Sequence, residues 1–195
     1  MSSVHIHSSA VIDSDVHISE GARVWHFCHV CSGAWIGRDC VLGQGVYVGP
    51  DVEIGDGTKL QNNVSVYAGV TLEAGVFCGP SVVFTNVLNP RATIDRSAEF
   101  KSTRVCRGAS LGANATILCG IEIGEYALIG AGAVVTSDVP AFGLVVGVPG
   151  RLAGWVSHNG HSLDLPASGT GRARCPETGC VYVLEGSTLR QVTEP

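Results

Sequence analysis

Ile36-Gly37-Arg38-Asp39-Cys40-Val41-Leu42-Gly43-Gln44-Gly45-Val46-Tyr47-Val48 places an apolar residue at every sixth position, Ile36, Leu42 and Val48. A small or β-branched residue follows four places later, Cys40 and Val46. The register extends outward from Ile6 to Phe84 through Ile12, Ile18, Val24, Val30, Ile54, Leu60, Val66, Leu72 and Cys78. Neither a helix nor a two-residue strand alternation sustains such a period. A chain that turns a corner every six residues does. Three sides close one coil of about eighteen residues, and stacked coils bury one another's open faces in a parallel β-helix. The expected class is therefore all-β.

The corners carry residues suited to tight turns, as in Ile54-Gly55-Asp56-Gly57-Thr58 and Ile123-Gly124-Glu125-Tyr126-Ala127. The period breaks after Phe84. Thr85-Asn86-Val87-Leu88-Asn89-Pro90-Arg91 lacks it, and it resumes with Val105, Leu111, Ile117, Ile123, Ile129 and Val135. Residues 85–103 or so are thus predicted to form a loop extruded from a rigid wall, a common place for function. Val139-Pro140 through Gly147-Val148-Pro149-Gly150-Arg151 ends the solenoid. The division expected is a β-helix domain over 1–150 and a tail over 151–195. In that tail a short helix from Leu152 to about Ser157 caps the last coil. Ala167–Gly171 is a linker, and Cys180–Leu184 with Thr188–Val192 forms a hairpin.

A net charge of −5 over 195 residues leaves no basic footprint for nucleic acid. No apolar run reaches membrane-spanning length, and Met1–Asp15 lacks the basic-then-apolar layout of a signal peptide, so a cytoplasmic location is expected. Of the eight cysteines, Cys28, Cys40 and Cys78 fall on inward positions, where Cys serves as a small hydrophobe. Free thiols are expected in a reducing compartment. No metal is expected. Cys28 and Cys31 have the spacing of a zinc pair, but Cys28 is turned inward by the repeat. Cys175-Pro176-Glu177-Thr178-Gly179-Cys180 is a single turn with no second pair nearby.

Trp25-His26-Phe27-Cys28-His29-Val30, Gln61-Asn62-Asn63-Val64-Ser65-Val66-Tyr67, Phe84-Thr85-Asn86 and Asn89-Pro90-Arg91 resemble one family. It is the hexapeptide-repeat N-acetyltransferases that act on UDP-linked 3-amino sugars in bacterial surface-polysaccharide (O-antigen) synthesis. The likeness runs from about residue 4 to 151 and takes in Cys175–Tyr182. It implies a left-handed β-helix, against the general right-handed preference of β-crossover-β connections. It also implies a homotrimer, and acetyl-CoA bound between neighbouring subunits. The acceptor it implies is UDP-2-acetamido-3-amino-2,3-dideoxyglucuronate.

The histidines make a separate argument. They stand at 5, 7, 17, 26, 29, 158 and 161, with none between His29 and His158. Hexapeptide enzymes that acylate hydroxyls resemble one another in using a histidine base near mid-chain. A hydroxyl needs such a base, whereas an unprotonated amine is already nucleophilic. The gap favours an amine acceptor attacking the thioester directly, although His26 or His29 can still reach a site across a subunit boundary. Asn86 is the candidate to hold that amine; as an ordinary turn residue it would instead bond its own backbone.

His26, Gln44 and Asn62 share one eighteen-residue column, either a groove for the nucleotide sugar or a solvated ladder. Tyr67, on the next face, offers a ring to stack on a base or simply covers the wall. Arg91, Lys101 and Arg104 suit a diphosphate and a sugar carboxylate, or equally plain surface charge. For acetyl-CoA the candidates are Gly112, Ala113, Ala131, Gly132 and Arg151. The glycines would let pantetheine approach the backbone, unless tight turns alone account for them. Pro149-Gly150 stands where many relatives have Pro-Ala, which leaves the phosphate contact of Arg151 open. Rival readings are an acyltransferase for a 4-amino or non-uronic sugar and a non-catalytic β-helix scaffold. A γ-class carbonic anhydrase would need mid-chain histidine ligands that this chain lacks.

Overall fold

The computed structural model describes residues 3–192. The predicted limits at residues 1 and 195 lie outside the described residues. The chain winds as a left-handed parallel β-helix with three walls. The first wall starts at His5–Ile6, the second at Val11–Ile12 and the third at His17–Ile18; they hold ten, seven and six strands among the described residues. Nearly every strand is two residues long, because each side of the prism must leave room for a corner.

Pairing follows the eighteen-residue coil: His5 is opposite Arg23, Val11 opposite His29, and His17 opposite Trp35. Across the interruption the partners stand thirty-three residues apart, Val70 with Thr103 and Phe77 with Ser110. The extruded loop therefore leaves the stacking of the coils intact. Its neck is closed by the Lys101 N–H donating to the Asn86 carbonyl at 2.9 Å.

The inward column forms the core: Val24, Ile36, Leu42, Ile54, Leu60, Leu111, Ile117 and Ile129 are fully buried. Cys28, Cys40 and Cys78 are buried there as free thiols. Burial pushes all three thiols up, Cys40 to about 11, so they stay protonated and inert. The small corner position also has a polar use. Cys28 Sγ donates to Gly43 O at 3.0 Å, Cys40 Sγ to Gly55 O at 3.2 Å and Thr58 Oγ1 to Glu73 O at 3.0 Å. Each of these bonds ties a corner to the coil above.

Two expectations for the tail are corrected. Arg151–Val156 is a strand, not a helix; it runs antiparallel to Gly143–Val146 and is followed by Ser162–Leu163. The last turn of the first wall leaves a row of unpaired backbone groups, and a returning strand satisfies them where a helix would not. The predicted linker is also partly a strand. Gly169–Arg174 pairs with Val181–Gly186, which pairs with Thr188–Val192, giving three strands rather than a hairpin. This sheet has its own core of Phe142, Trp155, Leu163, Cys175, Tyr182, Leu184 and Leu189. Among the described residues no helix is long and apolar enough to cross a membrane.

Candidate functional site

The coil geometry sorts most of the predicted residues onto two edges of the prism, with Arg91, Arg104 and Arg151 elsewhere. His26, Gln44 and Asn62 do stack along the edge between the first and second walls. With Trp25, Val41, Gly43, Leu60 and Gln61 they line an open cavity of about 290 Å³. Its floor is partly committed to structure, since Asn62 Oδ1 accepts the Gln44 N–H at 3.0 Å. His26 stacks on His7, with ring centroids 3.6 Å apart. Sequence reading missed Trp25 and Gln61 as cavity residues, although both adjoin the column.

Gly112-Ala113 and Ala131-Gly132 continue that same edge upward. Gly112 follows Leu111 and Gly130 follows Ile129 on paired strands of the first wall. A methyl group on Gly112 would lie 2.4 Å from the Ala131 nitrogen, so this glycine permits the close approach of two coils. Gly132 differs: it has φ +70° and open space around it. Arg151 opens the returning strand, beside a second cavity of about 300 Å³ that it lines with Asp138, Pro140 and Gly150. Its guanidinium donates to the Gly150 carbonyl at 2.9 Å.

Asn86 belongs to the other edge, between the second and third walls. It is half-buried at the neck of the loop, its carbonyl held by Lys101, while Thr85 Oγ1 accepts the Cys119 N–H at 2.9 Å. The neck is thus pinned on both sides and its side chains are carried on fixed backbone. Below Thr85 on the same edge stands Tyr67, whose ring lies 5.6 Å from Tyr47. Tyr47 in turn meets His29 edge-on at 5.8 Å. A hydrogen bond from Cys31, with burial and neighbouring negative groups, pushes the Tyr47 phenol up to about 12. Tyr47 was not singled out in the sequence; its spacing of eighteen from His29 and of twenty from Tyr67 was the available signal.

The three cations do not gather. Arg91 sits exposed on the loop and donates to the Pro90 carbonyl at 2.9 Å. The stem of Lys101 lies beside Gly120. Arg104 is on the third wall, opposite Thr71 and Glu122. There it ion-pairs with Glu73 and, at 3.7 Å, with Glu122. Partial burial raises the Glu73 carboxyl, but the Arg107 N–H at 2.9 Å and the Arg104 guanidinium outweigh it and hold the group below its usual range.

The bacterial transferase hexapeptide family (six repeats) matches residues 15–50 and 102–137, and the hexapeptide repeat of succinyl-transferase matches 33–68. The matched segments carry the six-residue repeat read from the sequence. Over 57 residues this hexapeptide-repeat chain is 53% identical to a dTDP-3-amino-3,6-dideoxy-alpha-D-galactopyranose 3-N-acetyltransferase of Aneurinibacillus thermoaerophilus, covering 29% of this chain and 30% of that protein. It is 32% identical over 104 residues to a serine acetyltransferase of Escherichia coli, covering 50% of this chain and 38% of the relative. The chain thus spans well under half the length of these curated relatives. Among solved structures, a hexapeptide-repeat acetyltransferase of Vibrio cholerae complexed with acetyl coenzyme A superposes with a TM-score of 0.55 at 25% identity, over 64% of this chain and 72% of that one. An N-acyltransferase of Bacillus cereus, solved with dTDP and coenzyme A, gives the same TM-score at 18% identity over 80% and 85%, a likeness of fold alone.

Proposed function

We propose that this chain is an acetyl-CoA-dependent N-acetyltransferase acting on a nucleotide-linked amino sugar, and that its acceptor is the 3-amino group of UDP-2-acetamido-3-amino-2,3-dideoxyglucuronate. The observation that carries the reading is the pinned loop neck at Thr85-Asn86, on a coil that carries no histidine. His5, His7, His17, His26 and His29 sit on the first two coils; His158 packs in the tail against Tyr126 and bonds Tyr182, and His161 pairs with Glu177. A hydroxyl acceptor at Asn86 would have no base on its own chain. An amine needs none. The local likeness to a 3-N-acetyltransferase of a nucleotide amino sugar supports the same side.

The free amine of the sugar attacks the thioester carbonyl carbon while the Asn86 side-chain carbonyl accepts one of its N–H bonds. Backbone N–H groups stabilise the tetrahedral oxyanion. Collapse breaks the carbon–sulfur bond, and the departing CoA thiolate takes the proton released by the amine. Holding both reactants in place supplies much of the acceleration. Gly132 and the edge above it accommodate pantetheine, and Arg151 the CoA phosphates.

Asn86 and the His26–Gln44–Asn62 edge lie on opposite sides of the second wall. Six residues separate successive corners, at most about 20 Å of chain. A homotrimer in which one copy's loop neck faces the polar edge of the next brings the two together, in a cytoplasmic enzyme. The test is thiol release from acetyl-CoA with the UDP-linked 3-amino uronate, its 4-amino isomer and its 3-hydroxy analogue. Release with the 3-amino compound alone is expected, and Asn86→Ala lowers it about 10–100-fold, the value of one hydrogen bond to a developing charge. Release with the 4-amino sugar alone moves the acceptor; release with none overturns the enzyme.

A further inference from the structure

The second wall carries, on its two lowest coils, a group of side chains to which the proposed transfer mechanism assigns no role. Asp13 and Cys31 are eighteen residues apart and stack on one edge, and His29 lies two residues before Cys31 on the same outer surface. The three donor atoms all lie within 4.8 Å of one another. His29 Nε2 is 3.1 Å from Asp13 Oδ1 and 3.9 Å from Cys31 Sγ.

An acid–base relay of Asp, His and Cys is excluded by the ring itself. A relay needs the carboxylate on one imidazole nitrogen and the thiol on the other. Here both partners face the single atom Nε2. One nitrogen, one carboxylate oxygen and one sulfur converging on a common point is the arrangement of ligands around a cation. The scale agrees. Tetrahedral zinc, with bonds of about 2.0–2.1 Å to nitrogen and oxygen and 2.3 Å to sulfur, separates nitrogen from oxygen by about 3.3 Å and from sulfur by about 3.6 Å. The observed distances differ from these by a few tenths of an ångström, within the reach of a small side-chain rotation.

We propose that Asp13, His29 and Cys31 bind one divalent transition-metal ion, zinc best matching this mixed oxygen, nitrogen and sulfur set. The Cys31 thiol gives its proton to solvent as the metal–sulfur bond forms. Three protein ligands leave a fourth position for water or an incoming donor. Tyr47, whose hydroxyl is 3.5 Å from Cys31 Sγ, supports that ligand from outside. Sequence spacing hid the site because its members come from two coils, and because the apparent pair Cys28 and Cys31 is split by the wall. Cys28 faces the core, while Cys31 faces out.

Cobalt(II) titrated into the full chain, purified without an affinity tag and stripped with chelator, reads the site directly. The expected result is a tetrahedral visible spectrum with a thiolate-to-cobalt charge-transfer band, saturating at one ion per chain and abolished by stoichiometric zinc. Cys31→Ser removes the charge-transfer band, and His29→Ala weakens binding by about a hundredfold or more. Tyr47→Phe weakens it by about tenfold, as loss of an outer-shell partner does. Cys180→Ser, which alters the other cysteine that is not buried, leaves the spectrum unchanged. Circular dichroism establishes that each variant is folded. Cobalt bound without a thiolate band, a band that survives Cys31→Ser, or no binding at micromolar cobalt overturns the proposal. None of these readings depends on acetyl transfer.

Discussion

Gly112 and Gly132 were both candidates to let pantetheine approach the backbone, and the coil geometry separates them. A Cβ on Gly112 would stand 2.4 Å from the Ala131 nitrogen and 2.7 Å from the Gly130 carbonyl carbon, against 3.4–4 Å for an ordinary contact. The obstacle is backbone, so no side chain can swing aside. The two coils would have to part by about 1 Å, at the expense of the Gly112 N–H bond to Ile129 O, now 2.8 Å. Gly112→Ala should therefore cost about 2–3 kcal/mol, the upper range for forced overpacking. For a chain of this size that lowers Tm by roughly 4–12 °C. Gly132→Ala meets nothing within 4 Å and only the strain of φ +70°, about 1 kcal/mol. Scanning calorimetry of both variants, with KM for acetyl-CoA, distinguishes packing from ligand contact. Gly112→Ala is expected to melt early, whereas Gly132→Ala melts close to the parent with a raised KM. A Gly112→Ala protein melting within about 2 °C of the parent would refute the close-approach argument for this edge.

Thr58→Val keeps the shape that Val46, Val52 and Val64 already supply at the same corner position and removes only the bond to Glu73 O, so urea unfolding should report a loss of about 1 kcal/mol. A neutral change would mean the corner bonds contribute nothing. Glu73→Gln tests the third-wall network through pH. The folded carboxyl is held below its unfolded value, so its stabilisation is fully present above the unfolded pKa and disappears as pH falls through the folded one. The stability gap between parent and variant, about 1 kcal/mol or less because Arg104 is 59% exposed, should be constant near neutrality and vanish on acidification when followed by urea unfolding; a gap that widens at low pH contradicts it. Mixing Asn86→Ala with His26→Ala chains, unfolded and refolded together, should raise the transfer activity above that of either variant alone. Failure to complement, with both variants assembling normally, would put the whole site within one copy.

What the sequence disclosed and what it hid divide along one physical line. A period of six is a local property, repeated in every side of every coil, so the walls, the inward column, the buried cysteines and the extruded loop were legible from apolar spacing alone. The tail was not, because Leu152–Ser157 has no period long enough to choose between helix and strand. The choice was made by a free sheet edge at Gly143–Val146, which is a fact about tertiary structure. The ion pairing of Arg104 was hidden for a related reason. Its neighbour Glu73 is set by a pairing of thirty-three residues across the loop, and counting in eighteens does not find it.

The same counting, carried further, explains why candidate residues that look unrelated in sequence belong to two groups. Positions that share a remainder on division by eighteen share an edge, so Asp13, Cys31, Tyr67 and Thr85 form one row and His26, Gln44 and Asn62 another. After the loop the count shifts, and Ala113 and Ala131 fall on the second row rather than the first. A β-helix is too stiff to bend these rows toward each other, since each corner is bonded to the coils on either side. Any chemistry that needs both rows must therefore bring in a second surface. In the proposed homotrimer that surface is another copy of the same prism, turned so that its Asn86 row meets this chain's His26 row, and rotation about a threefold axis would repeat that contact until the ring closes. Complementation between two singly impaired chains is the direct consequence of that proposal, because in a closed ring every site would take one row from each of two neighbours.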